Sequence, residues 1–177
     1  MKTYKKYAND KYQYLGFLPS SVRIKENGFW GMNDFEGNEI LPSNFIEVFT
    51  LSSGYGLIAA RDAGFWDIYD YSGKRLNNVR FDFIYPYYGF FGMTKVKKGK
   101  KWGLINKYGK TVVPIKYDII EKFGKGILLR KESDIEFIDR DELINLTHVR
   151  GELSITRERT SIPIRNVKIH SKQSTHS

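Results

Sequence analysis

Cysteine is absent from the sequence, and histidine is scarce. Without cysteine the chain can form no disulfide bond and offers neither a thiolate metal ligand nor a cysteine nucleophile. The three histidines are His148, His170 and His176, and none of them stands in an HxH or HExxH spacing. Since those spacings bring two imidazoles to one metal ion, we expect neither a zinc nor an iron centre, and no cofactor.

Long apolar runs are missing as well. No run approaches the roughly 18–20 residues that a membrane-spanning helix needs. Residues 1–15 are basic and rich in tyrosine, and they lack the apolar centre of a signal peptide. We therefore expect a cytoplasmic protein without membrane insertion, while export by a machinery that reads no cleaved signal stays open.

A readable catalytic motif is also lacking. The glycine pair Gly54 and Gly56 and the pair Gly124 and Gly126 are followed neither by the Lys-Ser/Thr of a phosphate-binding loop nor by a helical pattern. Two carboxylates for glycoside hydrolysis cannot be placed from the sequence. We expect a protein that is not an enzyme and has no catalytic residues. An enzyme whose site is scattered over several repeat faces is the last alternative.

What the sequence does contain is an internal repeat of 36 residues. A glycine follows each tryptophan after 7 residues, and an aromatic residue follows it after 15 residues. The tryptophans are Trp30, Trp66 and Trp102, the glycines are Gly37, Gly73 and Gly109, and the aromatic residues are Phe45, Phe81 and Tyr117. A fixed period of this length indicates a repeat architecture in which each unit packs on its neighbours.

Each copy has the pattern of short β-strands. Alternating residues before the tryptophan end in a glycine-containing turn, which is typical of a β-hairpin. A tight Asp/Asn-x-x-Gly turn comes after the tryptophan, from Asp34 to Gly37 in the first copy. The next strand is expected to end at Pro42 in the first copy and at Pro114 in the third, because proline cannot donate a ladder hydrogen bond.

We expect an all-β protein, built as a short array of about three and a half units. The predicted units are residues 12–21 (partial), 22–57, 58–93, 94–131 and 132–159 (a degenerate cap), within a single domain of residues 1–159. Residues 160–177 are predicted to be a basic C-terminal tail with a disordered end. Because the terminal copies are atypical, an open solenoid-like stack is favoured over a closed ring.

The repeat resembles the WG repeat of bacterial proteins. The resemblance is carried by Trp30 with Gly31, Trp102 with Gly103, the turn glycines Gly37 and Gly109, the prolines Pro42 and Pro114, and Tyr117 with Asp118. It spans roughly residues 12–142, and the middle copy departs from it with Asp67 in place of the second motif residue. The resemblance implies a β-rich repeat scaffold whose members mostly serve as binding modules and share no catalytic site.

The three tryptophans are expected to belong to the scaffold. One tryptophan per repeat in a fixed phase is what stacked units require, so we expect core wedges between units. An aromatic stripe that binds a ligand is the alternative. Strand alternation places Gly103 on the face opposite to Trp102, where a neighbouring backbone can approach closely.

Positive charge is concentrated in the third unit. The chain has a formal net charge of +9, and residues 94–131 alone contain 12 basic and 2 acidic residues. Five lysines lie within residues 95–101, and five of the seven residues 85–91 are aromatic. A localised positive surface beside aromatic residues is typical of sites that bind acidic proteins or nucleic acids.

The leading hypothesis is a non-enzymatic module that binds another protein through the third unit, with an acidic partner that it inhibits or scaffolds. The hypothetical binding residues are Lys97, Lys98, Lys100, Lys101, Arg130, Tyr87, Tyr88 and Phe90. Nucleic-acid binding through the same hairpin is the alternative, although the hairpin lacks arginine, the residue that most often reads bases. The oligomeric state stays open.

Overall fold

The computed structural model describes residues 12, 14–18, 21–52, 56–85 and 90–147, which form four antiparallel sheets and one short helix. The first sheet contains β1 (Tyr14–Phe17), β2 (Val22–Glu26), β3 (Phe29–Asn33) and β4 (Glu39–Phe45). The second contains β5 (Glu47–Ser52), β6 (Leu57–Arg61) and β7 (Trp66–Asp70). The third contains β8 (Phe83–Ile84), β9 (Thr94–Lys98), β10 (Lys101–Ile105) and β11 (Thr111–Tyr117). The fourth contains β12 (Ile119–Phe123), β13 (Gly126–Lys131) and β14 (Asp134–Ile138), and the helix α1 (Arg140–Thr147) follows it.

The predicted all-β class is confirmed. Within each sheet the strands lie side by side in chain order. The chain leaves the first sheet at Phe45 and enters the second at Glu47, and it passes in the same way from Tyr117 to Ile119. The described sheets therefore follow one another as an open stack, and none of them closes into a barrel. The predicted C-terminal tail, part of the degenerate cap and the three histidines lie outside the described residues.

The boundaries of the sheets do not coincide with the boundaries of the repeat units in the sequence. The strand after the recurring aromatic residue pairs with the hairpin of the next unit: β5 pairs with β6, β8 with β9 and β12 with β13. Each unit thus supplies the first strand of the following sheet. Because these strands carry ladder hydrogen bonds between units, backbone pairing holds the array together as well as side-chain packing.

Three apolar clusters fill the spaces between successive sheets, and we call them the first, second and third joints. They are represented by Met32 with Ile58 in the first joint, Ile68 with Val96 in the second, and Leu104 with Ile127 in the third. All six side chains are fully buried. Since burial of one such side chain contributes about 1.5–3 kcal/mol, each joint supplies a substantial part of the stability.

The pair of tryptophan and glycine marks a bulge in the neighbouring strand. Between the partners Trp102 with Tyr117 and Leu104 with Val113, three residues of β11 lie opposite the single residue Gly103. A Cβ on Gly103 would lie 2.7 Å from the carbonyl oxygen of Val113. Glycine is needed here because the bulged backbone occupies the space that a side chain would take. The first sheet has the same arrangement, with Gly31 against the bulge that contains Pro42. The expectation that Pro42 and Pro114 end their strands is therefore wrong: both lie inside a strand, at a bulge where no ladder donor is needed.

The Asp/Asn-x-x-Gly turns bring each unit against the one before it. Gly73 and Gly109 have φ angles of 78° and 73°, and their N–H groups each donate to the first residue of the turn at 3.0 Å. A Cβ on Gly73 would lie 2.5 Å from the carbonyl oxygen of Ile40, and one on Gly109 would lie 3.2 Å from Cδ1 of Leu76. Ile40 and Leu76 occupy equivalent positions 36 residues apart. Glycine therefore serves both the turn conformation and the close contact between units.

The second unit replaces the glycine and the bulge with a buried polar network. Asp67 stands where the other units have glycine, and its carboxylate accepts hydrogen bonds from Asn77 and from Nε of Arg80, both at 2.9 Å. Asn77 in turn accepts the N–H of Ile68 at 2.6 Å. The strand that would follow β7 is reduced to two isolated pairings, Trp66 with Phe81 and Tyr69 with Arg75. The departure in the sequence thus coincides with a different backbone path.

A helix takes the place of the turn after the fourth sheet. Glu142 occupies the position of the turn glycine, where an ordinary residue would be strained in the left-handed conformation. Asp139 caps the helix, since its Oδ1 accepts the N–H of Glu142 at 2.9 Å. Leu143 and Leu146 of α1 pack on the third joint. The helix therefore closes one end of that joint within the otherwise all-β array.

Replacing Gly103 with alanine should destabilise the protein by about 1–3 kcal/mol, the usual effect of overpacking a close contact. Gly64→Ala is the matched control, because a Cβ at Gly64 meets no atom within 4 Å. Urea-induced unfolding measures both variants. Equal stability of the two variants would contradict the role assigned to Gly103.

Candidate functional site

The lysine-rich hairpin lies in the third sheet and consists of β9 and β10. Its two-residue turn begins at Gly99, whose φ of 58° fits the tight turns that connect twisted strands. Val96 packs into the second joint. Because side chains alternate along a strand, Lys95 and Lys97 lie on the opposite face, which is directed toward the fourth sheet.

Three aromatic rings and two lysines meet on this face, and we call them the aromatic–lysine cluster. Its members are Phe83, Tyr85, Lys95, Lys97 and Trp102. The ring centroids of Phe83, Tyr85 and Trp102 are 5.3 to 6.4 Å apart. Nζ of Lys95 lies 4.1 Å and Nζ of Lys97 lies 5.3 Å from the centroid of the Trp102 ring. Phe83 is 42% exposed, so the cluster reaches the surface.

Lys95 connects the cluster to the next sheet. Its ammonium group donates a hydrogen bond to the carbonyl oxygen of Ile120 in β12 at 2.9 Å. Burial lowers the pKa of Lys95, while the nearby carboxylate of Glu121 opposes that shift. The lysine therefore serves both the packing of the third joint and the positive character of the cluster.

Two of the hairpin lysines are paired with aspartates. Nζ of Lys101 lies 2.6 Å from Oδ1 of Asp118, and Nζ of Lys98 lies 3.5 Å from Oδ1 of Asp82. Asp82 also accepts the N–H of Gly99 in the hairpin turn. These carboxylates reduce the net charge of the hairpin and fix two of its side chains. The positive character of the hairpin therefore rests mainly on Lys95, Lys97 and Lys100.

Asp118 holds its charge over a wider pH range than an ordinary aspartate. The backbone N–H of Glu132 donates to its Oδ2 at 2.8 Å, and Lys101 donates to its Oδ1. These two contacts, the first one foremost, lower the pKa of Asp118. The same carboxylate thus orders the hairpin turn of the fourth sheet and anchors a lysine of the third.

The predicted binding residues do not all share one surface. Lys97 belongs to the aromatic–lysine cluster, and Lys100 is exposed at the hairpin turn. Phe90 packs at the border of the third joint. Arg130 is exposed on the far face of the fourth sheet, because its neighbour Leu129 points into the third joint. The predicted sites Tyr87 and Tyr88 lie outside the described residues.

Each tryptophan occupies a different joint. Trp66 is 5% exposed and packs in the second joint, where its centroid lies 5.0 Å from that of Phe49. Trp30 and Trp102 are half-buried at the borders of the first and third joints. Arg23 lies over the Trp30 ring at 4.4 Å from its centroid, as Lys95 lies over Trp102.

Several residues of the site were not predicted from the sequence. Lys95, Phe83 and Asp82 take part in it but were not among the predicted binding residues. Asp82 and Asp118 are 36 residues apart, and each directly follows the recurring aromatic residue. That repetition is the signal from which their shared role at the hairpin turns could have been inferred.

In the described part of the chain, no three His, Asp or Glu side chains are grouped so that they could hold a metal ion. Nor does any helix among those residues have the length and apolar character to cross a membrane.

No protein-family model and no curated protein matches the chain. Two solved structures of Hsv2 from Kluyveromyces lactis, one of them with the complete loop 6CD, are similar to part of it at 12% identity and a TM-score of 0.34. The matches cover 68% and 69% of this chain, and 42% of the Hsv2 chain in both cases. The chain thus spans less than half the length of the Hsv2 chains. A likeness at this level identifies neither a family nor a function.

The pKa of the Asp118 carboxyl should lie below the usual aspartate value of about 3.9. Its stabilising effect is fully present above the pKa of the unfolded chain and is lost as the pH falls through the lowered pKa of the folded state. In Lys101→Met the pKa should rise only part of the way, because the N–H of Glu132 still donates. Carboxyl-detected NMR titration measures this, and Lys100→Met is the control. An unchanged pKa in Lys101→Met would disprove the pairing.

Proposed function

We propose that the chain is a bacterial WG-type repeat protein that acts in the cytoplasm as a non-enzymatic binding module. Its partner is an acidic protein, which it binds through the third sheet. Support for the family comes from the 36-residue register, in which glycine faces a bulged strand in the first and third sheets. The middle copy, with Asp67 in place of that glycine, is a divergent member of the array.

The observation that carries the proposed function is the aromatic–lysine cluster. Phe83 is exposed at its edge, and two ammonium groups lie over the half-buried Trp102 ring. Aromatic residues with an apolar body and a neighbouring charge are enriched where proteins bind each other. Lys95 and Lys97 are held in place by the ring beneath them, so a carboxylate of the partner would meet cations that are already positioned.

An acidic protein fits the cluster better than a nucleic acid does. Single-stranded nucleic acids bind to such surfaces by stacking bases on free ring faces. On Trp102 the two lysines lie over the ring, and Phe83 contacts it edge-on at 80°. A base could stack there only after displacing a cation, whose contact with the ring is worth about 0.5–2 kcal/mol. Carboxylates of a protein can instead approach the ammonium groups without disturbing the ring.

Reversing the charge at Lys97 and Lys100 should reduce partner binding by about tenfold or more, because removing close charge pairs at an interface costs at least about 1.5 kcal/mol. The measurement is a quantitative pull-down from nuclease-treated lysate of the source cells, with mass spectrometry of the acidic proteins recovered. Phe83→Ala should weaken the same interaction, since it removes the exposed ring without changing the charge.

The matched control is the double reversal Lys74→Glu with Lys110→Glu, which alters the net charge equally. Both of these lysines close the Asp/Asn-x-x-Gly turns, at the end of the strands opposite to the hairpin. Recovery of the same acidic proteins by the Lys97/Lys100 variant would contradict the proposal. So would a gel shift in which oligonucleotides bind the wild-type chain at physiological salt and the variant does not.

A further inference from the structure

The fourth sheet ends at a strand whose counterparts in the first and third sheets are paired on both sides. In the third sheet β10 lies between β9 and β11, and in the first sheet β3 lies between β2 and β4. Strand β14 holds the same place next to β13, as the alignment of Ile135 with Trp102 shows: Arg130 faces Ile135 as Lys97 faces Trp102. Among the described residues no strand pairs with the other side of β14.

The direction of the backbone groups on this edge follows from the hairpin. Lys131 and Asp134 close the two-residue turn opposite each other, so the peptide groups of Asp134, Glu136 and Ile138 are directed at β13. Those of Ile135 and Phe137 are directed away from it. At the equivalent place in the second sheet, Trp66 exchanges two hydrogen bonds with Phe81, at 2.7 and 3.0 Å. The outward peptide groups of β14 thus occupy the positions that form ladder hydrogen bonds in the other sheets.

The side chains along β14 define what could pair with it. Ile135 is 50% and Phe137 is 49% exposed, and both lie on the outer face of the sheet. Asp134 and Glu136 alternate with them on the inner face, and Glu136 accepts the hydroxyl of Tyr117 at 3.0 Å. Residues directly opposite each other in an antiparallel pair share a face. A complementary strand therefore carries apolar residues opposite Ile135 and Phe137, and basic residues opposite Asp134 and Glu136.

We propose that β14 binds an extended peptide segment of a partner protein, in which apolar and basic residues alternate, as an added antiparallel strand. Backbone hydrogen bonds supply the affinity and the alternating side chains supply the selectivity, as in other cases of strand addition. A second copy of this chain is a poorer occupant. Two β14 strands related by a two-fold axis and centred on Glu136 would place two carboxylates directly opposite each other, which is unfavourable.

This edge is separate from the aromatic–lysine cluster and has the opposite charge. Edge strands are commonly protected from indiscriminate pairing by charged residues. Asp134 and Glu136 serve that purpose against acidic or neutral strands, and they admit a basic one. The fourth sheet would therefore select a partner different in charge from the one proposed for the third sheet.

The test uses the full chain and an end-blocked heptapeptide of alternating valine and lysine, with fluorescence anisotropy as the readout. We expect binding of this peptide, no binding of its valine–glutamate counterpart, and loss of binding when alternate amides of the peptide are N-methylated. Asp134→Lys should weaken binding about fivefold, because it reverses a cross-strand charge pair. Asp141→Lys, an equal charge change in α1, should leave binding unchanged.

Phe137→Ser and Phe123→Ser provide the apolar comparison. The two rings contact each other at a centroid distance of 6.4 Å and are similarly exposed, but Phe137 lies on β14 and Phe123 lies on β12, at the opposite edge of the sheet. Phe137→Ser should weaken binding more than Phe123→Ser, and equal effects would count against pairing at the edge. Binding that survives N-methylation would overturn the proposal.

Hydrogen exchange of the full chain without peptide tests the other occupants. The amides of Ile135 and Phe137 should exchange faster than those of Trp102 and Leu104, and the peptide should slow them. Equal protection of the two pairs without peptide would overturn the proposal. In that case, protection that rises with protein concentration would identify a second copy, and protection independent of concentration would identify another part of this chain.

Discussion

Two of the three joints depend on a contact in which a cation lies on a tryptophan ring and donates to the next sheet. Lys95 covers Trp102 and donates to the carbonyl of Ile120 in the fourth sheet. Arg23 covers Trp30 in the same way and donates to the carbonyl of Val48 in the second sheet at 3.3 Å. The two contacts lie two repeats apart. They join successive sheets at the border of a joint, where apolar packing alone would leave a backbone carbonyl and a wide ring facing water.

The middle unit lacks the cation at this position, although Arg61, the counterpart of Lys97, lies 5.6 Å from the centroid of the Trp66 ring. Ala59 occupies the position of Arg23 and Lys95, and Trp66 is buried against Phe49 instead of lying beneath a charge at that position. The same difference accounts for the location of the candidate site. Because a charged side chain must keep access to water, Trp102 remains half-exposed and the neighbouring rings stay at the surface. Scaffold and binding surface therefore use the same residues in the third sheet.

The sequence was sufficient for features that depend on the local backbone. The 36-residue register predicted the hairpins, the Asp/Asn-x-x-Gly turns and the all-β class. Gly73 and Gly109, for example, supply the positive φ that each individual turn requires. The register could not show that the first strand of each sheet belongs to the preceding sequence unit, since this depends on which strands pair. For the same reason Arg130 could not be assigned to the far face of the fourth sheet. The pairing of Lys101 with Asp118 depends on how the stack brings the end of β11 to the hairpin.

A double-mutant cycle on Lys95 and Trp102 tests the central contact most directly. The free energy of unfolding would be measured by urea denaturation for the wild type, Lys95→Met, Trp102→Phe and the double variant. If the cation is held by the ring while it bonds to the fourth sheet, the two substitutions should be coupled by about 1 kcal/mol in favour of the wild-type pair. Additive effects of the two substitutions would contradict this account of how the sheets are joined.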